Sequence, residues 1–199
     1  GGGTGTFTAG TPADVTTTDQ ADESVVVFDG TDYIAGWLSD VGTANRTLEF
    51  ASLDVSTLAA GTQKSFEPSV NLDPAAGISA AAGTGGLLLL VGATGTDSGT
   101  SLVHGVLYDY AAGTGTDISI GTGTAPLVVF NAQSGNFVVA FQGGLDAQVR
   151  CYTIAGAAVS AAVTAHTSAV LAGLAAAGGA SDEALVTAND GSGIVGRHI

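Results

Sequence analysis

The feature that most constrains this chain is an apolar run that recurs four times at nearly even spacing. Each run follows a turn rich in Gly, Asp, Ser or Asn, and the four runs cover residues 33–37, 87–91, 137–141 and 184–188. Their first residues are 54, 50 and 47 positions apart, so four units of about fifty residues account for all 199 residues. A repeat of this length is typical of solenoids, propellers and arrays.

The sequence of each unit predicts further strands, and these change from apolar to polar across the unit. A second apolar run precedes the first, at 25–28, 78–82, 127–130 and 170–175. A third, alternating run follows it, at 47–53, 102–108, 149–154 and 194–199. A polar fourth strand is predicted at 62–70, 115–120 and 157–164. Continuous apolar runs indicate strands buried on both faces, and alternation indicates one wet face. This gradient is expected of a propeller blade, whose outermost strand faces water.

We therefore predict an all-β, β-propeller-like array in a single domain over residues 1–199. Its four-stranded units lie at about 20–72, 73–122, 123–166 and 167–199, with residues 1–19 added to the last unit. The fourth unit lacks a polar outer strand, and residues 4–16 are predicted to supply it and so cover an exposed strand edge. The alternative is a β-sandwich or jelly roll, which regular turn signals also suit. A helix over 157–177 is disfavoured by its β-branched residues and glycines.

The charge of the chain is strongly negative and restricts its partners. There are 18 acidic residues and four cations, Arg46, Lys64, Arg150 and Arg197, for a formal net charge of −14. Nucleic acids and anionic membranes need clustered Lys and Arg, so neither is an expected partner. The longest uncharged stretch, 151–181, is too rich in Ala and Gly for a membrane span, so no membrane insertion is expected.

No catalytic signature is present in the sequence. The three histidines, His104, His166 and His198, fall in different units without zinc-site spacing. No serine occupies a G-x-S-x-G elbow, and the Gly-Thr alternations at 1–5 and 113–123 lack the lysine of a phosphate-binding loop. The lone Cys151 lies in an alternating run and is expected to pack as a small hydrophobe. We predict a protein that is not an enzyme.

Acidic residues on the turns are expected to cap their own backbone amides. The turns at 29–32 and 189–192 also offer oxygen ligands for calcium, although neither completes an EF-hand loop. We therefore predict no cofactor, with Ca²⁺ as the alternative.

Few residues suggest a binding site. Tyr110, beside Asp109, follows a strand and is the best candidate for an exposed ring that stacks on a sugar or a partner. Tyr33 and Trp37 lie in an inner strand and are expected in the core. Asn45 begins an Asn-Arg-Thr glycosylation sequon, which matters if the chain is secreted from a glycosylating cell.

Residues 135–142, 149–152 and 154–159 together resemble a degenerate repeat of large bacterial secreted proteins. In that family a unit reads Gly, an aromatic residue, two valines, a small residue and Trp, and then a strand that ends in a Gly turn. Residues 29–37 and 190–197 match the same pattern, and the second unit matches it weakly. The resemblance implies a propeller-like fold in an extracellular or surface setting, and it implies no catalytic residues.

These observations favour a non-enzymatic structural or adhesive module of a cell envelope, an extracellular matrix or a virus particle, where it would form part of a fibre, a tail or a capsid decoration. The expected partners are assembly proteins or surface glycans, and self-association is an open expectation. The alternatives are a glycan-binding propeller lectin and a carbohydrate-active hydrolase with a carboxylate pair. The units share apolar positions but not polar ones, which counts against one glycan pocket per unit.

Overall fold

The computed structural model describes residues 21–40, 45–168, 173–178 and 183–199. Within these ranges the regular structure is β-strand, apart from a single 3-10 turn at Pro74–Ala76. The strands are β1 (Ala21–Phe28), β2 (Tyr33–Ser39), β3 (Thr47–Leu53), β4 (Lys64–Phe66), β5 (Ile78–Ala82), β6 (Leu87–Ala93), β7 (Leu102–Asp109), β8 (Thr114–Thr122), β9 (Thr124–Asn131), β10 (Asn136–Gly143), β11 (Asp146–Thr153), β12 (Val163–Thr167), β13 (Gly173–Gly178), β14 (Ala184–Asn189) and β15 (Ile194–His198).

The strands form four separate antiparallel sheets, and each sheet follows the order of the chain. The first three contain β1–β4, β5–β8 and β9–β12, and the fourth contains β13–β15. Local turn chemistry explains these meanders. In the β1–β2 turn, the Asp29 carboxylate accepts the backbone N–H groups of Thr31 and Asp32 at 2.8 and 2.9 Å. Gly30 there has a φ of 102°, a conformation that suits glycine.

The sheets stack one on the next in chain order, with their first strands adjacent. β1 packs on β5, β5 on β9 and β9 on β13. The faces between consecutive sheets form three apolar layers. In the first layer Phe50 and Tyr108 stack with ring centroids 4.3 Å apart, and in the second Phe137 is fully buried. This arrangement confirms an all-β, propeller-like array of about fifty residues per unit.

The two ends of the array are open among the described residues, because no strand of the first sheet packs along a strand of the fourth. We call the end of the first sheet the leading face, which is formed by Ser24, Val26, Phe28, Tyr33, Ala35 and Trp37. We call the end of the fourth sheet the trailing face, which is formed by Ala175, Ala177, Leu185, Thr187, Ile194 and Gly196. Val26 is 62% exposed and Ile194 is 78% exposed.

Some details of the strand prediction were wrong. β1 is exposed along the leading face rather than buried on both sides. The outer strand predicted at 157–164 lies at Val163–Thr167, because the chain first turns at Gly156 and leaves only an isolated bridge from Tyr152 to Ala158.

One other strand is shorter than predicted, because β4 spans only Lys64–Phe66 and ends before Pro68, which cannot donate to a ladder. The run predicted at 170–175 lies partly outside the described residues, and its described part belongs to the strand Gly173–Gly178. The described part of 157–177 contains strands at Val163–Thr167 and from Gly173 onward and contains no helix, as predicted. The strand predicted at 4–16 lies outside the described residues. Within those residues, no helix meets the length and apolarity needed to cross a bilayer.

Candidate functional site

Tyr110, the main candidate for ligand stacking, lies in the junction between the first and second sheets. Its hydroxyl accepts the backbone N–H of Ser52 at 2.7 Å and donates to the Thr62 carbonyl at 3.3 Å. The Lys64 ammonium lies 4.6 Å from the centre of the Tyr110 ring and donates to the Tyr110 backbone carbonyl. The prediction of an exposed ring was therefore wrong, since Tyr110 is half-buried and joins two units.

Asp109 also has a local role in this junction. Its carboxylate accepts the backbone N–H of Ala112 at 2.8 Å and so caps the β7–β8 turn. Ligand binding by Tyr110 and Asp109 stays a prediction. The partners of Tyr110 could not be found from sequence, because Ser52 and Lys64 belong to another unit and no spacing links them to it.

The basic residues form a set that sequence reasoning missed, because each of three junctions holds one of them. Lys64 of the first unit reaches carbonyls of the second, including that of Ala111 at 3.3 Å. Arg150 of the third unit donates to the Ile120 carbonyl of the second at 2.7 Å. Arg197 of the fourth unit donates to the Thr164 carbonyl of the third at 3.0 Å.

The Arg150 contact follows from a β-bulge in the second sheet. Val103 pairs with Gly121 and His104 pairs with Ser119, so Ile120 is the extra residue of β8. A bulged residue is left out of the ladder, and its carbonyl is free to accept another donor. Arg150 supplies that donor from the next unit.

The remaining cation, Arg46, makes its contacts within the first unit, one of them at the end of that unit. Its guanidinium lies 3.3 Å from the Asp22 carboxylate and donates to the Leu72 carbonyl at 3.3 Å. All four cations of the chain are thus engaged by backbone carbonyls, and the acidic residues dominate the surface charge that remains.

The histidines each lie beside one carboxylate rather than beside each other. The pairs are His104 with Asp117 at 2.6 Å, His166 with Asp190 at 3.3 Å and His198 with Glu183 at 3.1 Å. Within the described ranges no three His, Cys, Asp or Glu side chains converge as a metal site would require. Asp117 also accepts the backbone N–H of Ser69 at 3.3 Å and so joins the first unit to the second.

The turn carboxylates bind their own backbone, as the sequence predicted. Asp190 accepts the hydroxyl of Ser192 at 2.7 Å and the N–H groups of Ser192 and Gly193 at 2.9 and 3.0 Å. These bonds, led by that from the hydroxyl, lower the pKa of Asp190 to about 2. Bonds from Ser56 and Thr57 likewise hold the pKa of Asp54 well below its usual range. A general acid needs the opposite shift.

Cys151 behaves as a packing residue. It is half-buried against the apolar layer between the third and fourth sheets. Burial raises the pKa of its thiol, which disfavours the nucleophilic thiolate.

The sequon asparagine is engaged by the fold. The Asn45 side-chain nitrogen, to which a glycan would be attached, donates to the Pro68 carbonyl at 3.1 Å. Glycosylation of the folded chain would require that bond to break, and the modification stays a prediction.

Among the hollows of the described residues, two lie beside residues already considered. A cavity of about 50 Å³ between the third and fourth sheets is lined by His166, Val186 and Arg197 among others. A groove of about 500 Å³ runs along the leading face beside Val26 and Trp37. Trp37 is 3% exposed, as predicted for a core residue, and its indole N–H has no hydrogen-bond partner. Tyr33 was expected in the core but is 38% exposed, because it lies on the open leading face.

Comparisons with known proteins do not assign the chain to a family. No protein-family model matches the chain, and no curated protein matches it in sequence. The structure is similar to that of the β-propeller domain of the Trilobed protease from Pyrococcus furiosus, described as having an open velcro topology, with a TM-score of 0.48 and 10% sequence identity. The match covers 85% of this chain and 49% of the other, so the chain spans about half the length of that protein chain.

The strand order and stacking define the class of protein as β-propeller-like. The resemblance to repeats of bacterial secreted proteins stays a prediction.

Proposed function

We propose that the chain is a non-enzymatic structural module that acts through surface contact, on a cell envelope, an extracellular matrix or a virus particle. The observation that carries the proposal is that the reactive side chains bond to other groups of the protein itself. The shifted carboxylates cap their own turns, the histidines pair singly with carboxylates, and the cations hold the junctions between units. Side chains engaged in this way stabilise a scaffold, which supports a structural role.

The charge distribution also supports a scaffold that works by contact. The cations are tied to carbonyls, so the surface is acidic and repels anionic partners. A net charge of −14 keeps such a module soluble in a salty medium, where screening limits its self-repulsion.

Antibody labelling of the source organism tests the surface location. Antibodies raised against the purified chain should label intact cells or intact particles as strongly as permeabilised ones, because the module is expected on the outside. Labelling that appears only after permeabilisation would contradict a surface role.

A glycan array separates the structural proposal from the lectin alternative. The purified chain should bind no glycan above background, since Tyr110 is held in a junction. Binding that Tyr110→Ala abolishes and Tyr33→Ala preserves would instead support a lectin, because Tyr33 is a matched tyrosine on the open leading face.

A substrate panel separates the proposal from the hydrolase alternative. The chain should release no reducing sugar from a panel of plant, bacterial and animal polysaccharides. Turnover that a single Asp→Asn or Glu→Gln substitution eliminates would overturn the non-enzymatic proposal.

A further inference from the structure

Two of the three junctions among the described residues are built in the same way. Arg150 in β11 and Arg197 in β15 belong to the third strands of the third and fourth sheets. Each arginine pairs across its sheet with a valine that is buried against the preceding unit, Val139 for Arg150 and Val186 for Arg197. The two arginines therefore hold equivalent positions in their units, and both side chains reach the preceding unit.

The strands that these arginines reach are irregular at one and the same place. β8 and β12 are the outer strands of the second and third sheets, and each contains a β-bulge. The extra residue is Ile120 in β8 and Ala165 in β12. Both bulges lie opposite the same stretch of the neighbouring strand, equally far before the buried tyrosines Tyr108 of β7 and Tyr152 of β11. The bulge is therefore a repeated feature of these two units.

Each arginine bonds to a carbonyl at the bulge. Arg150 donates at 2.7 Å to the carbonyl of Ile120, which is the extra residue itself. Arg197 donates at 3.0 Å to the carbonyl of Thr164, which directly precedes the extra residue Ala165. A bulge interrupts the ladder, so backbone groups beside it are left for other partners. The arginine thus binds an acceptor that the bulge makes available.

The junction between the first and second units lacks both features within the described residues. Over its length from Lys64 to Phe66, β4 pairs with β3 without a register shift. The residue of β7 that corresponds to Arg150 is Val106, since each lies two residues before the buried tyrosine of its strand. Val106 is fully buried. The bulge and the arginine occur together at two junctions and are absent together from the third, which indicates that they act as a pair.

We propose that the bulge and the arginine form a latch that selects which units can be neighbours. The apolar layers alone select poorly, because the hydrophobic effect has no direction. A hydrogen bond to one carbonyl, in contrast, requires one arrangement of the two units. A unit with the arginine that docked on a regular outer strand would leave a partly desolvated guanidinium without its acceptor. The latch is independent of the proposed surface role.

Removal of the bulge tests the latch through its coupling to the arginine. Deletion of Ile120 leaves Ser119 and Gly121 in one regular register with β7. Urea unfolding is measured for the wild type, Arg150→Met, the deletion and the double variant. Arg150→Met should raise the unfolding equilibrium constant about thirtyfold in the wild type and less than about threefold without Ile120. An equal factor in the two backgrounds would overturn the proposal, because the arginine would then act independently of the bulge.

Arg46→Met is the matched control for this cycle. The Arg46 guanidinium bonds to Asp22 and to the Leu72 carbonyl and contacts neither bulge, so its factor should be the same with and without Ile120. The second latch repeats the cycle with a smaller loss of side chain, through deletion of Ala165 and Arg197→Met. The same sign of coupling is expected there, and additive effects at the second latch would contradict a common device.

Hydrogen exchange locates the effect in the full-length chain without any deletion. Arg150→Met should speed amide exchange about tenfold in β8 and leave that of β12 unchanged, whereas Arg197→Met should do the reverse. This pattern follows because each arginine holds only the outer strand of the unit before it. Exchange that rises equally in both strands, or in neither, would overturn the latch.

Discussion

Substitution of Arg150 by Met tests whether the junctions between units depend on their single cations. Methionine retains most of the aliphatic stem, so packing along the stem is largely kept. The substitution removes the guanidinium that donates to the Ile120 carbonyl at 2.7 Å and to the Ser160 carbonyl at 3.3 Å. Because Ile120 is the extra residue of a bulge, no neighbouring strand replaces that donor.

The expected loss of stability follows from the strength of one charge-assisted hydrogen bond. Such bonds contribute about 1.5–3 kcal/mol, and Arg150 is only half-buried, so we expect about 2 kcal/mol for Arg150→Met. For a chain of this length that loss corresponds to a fall in Tm of about 4–8 °C. Arg150→Lys keeps the charge but loses the planar fork, and it should cost about 1 kcal/mol.

Equilibrium unfolding in urea, followed by circular dichroism and by fluorescence of Trp37, measures these changes. Arg46→Met is the matched control, because its contacts are 3.3 Å long and partly exposed, and it should cost less than about 1 kcal/mol. If Arg150→Met and Arg46→Met both lie within about 0.5 kcal/mol of the wild type, the junction cations do not stabilise the array as argued.

Three further outcomes follow from the packing and the turns. Phe137→Ala empties the layer between the second and third sheets and should cost about 3–5 kcal/mol in urea unfolding, whereas Phe28→Ala, at a residue 51% exposed, should cost under about 1 kcal/mol. Gly123→Ala places a Cβ 2.4 Å from a backbone oxygen of β10 and should lower stability by about 3 kcal/mol. Gly173→Ala, where a Cβ meets nothing within 4 Å, is its control, and equal effects would contradict the clash. Asp190 has a folded pKa of about 2, below its unfolded value, so its stabilisation is present above about pH 4 and is lost as the pH falls towards 2. Thermal melts should show this loss in the wild type and a smaller one in Asp190→Ala.

The recurring apolar runs predicted the strands because the same strand of each unit is buried and therefore apolar. All four runs became the second strand of a sheet, as 137–141 did within β10. The prediction for the turns was also confirmed, because the side-chain oxygen of an Asp or Asn accepts backbone N–H groups two or three residues later in the chain. Both kinds of feature are local and can be found in one unit at a time.

The features that the sequence did not predict are contacts between units. Tyr110 looked exposed because it follows a strand end, but its hydroxyl binds Ser52, which is 58 residues away in sequence. The role of Arg150 depends on a bulge in β8, and no pattern in the sequence marks that bulge. Val26 looked buried because its run is apolar, and it is exposed because it lies at the end of the array.

The placement of the four cations has a consequence for proteolysis. Trypsin cleaves after Lys and Arg, so the chain offers it only four sites. Arg46, Lys64 and Arg150 are half-buried and held by carbonyls, and cleavage after Arg197 releases only His198 and Ile199 from this sequence. Cleavage of the native chain after Lys64 or Arg150 therefore requires a junction to open, and the rate at which trypsin cuts at these two sites measures how often the units separate.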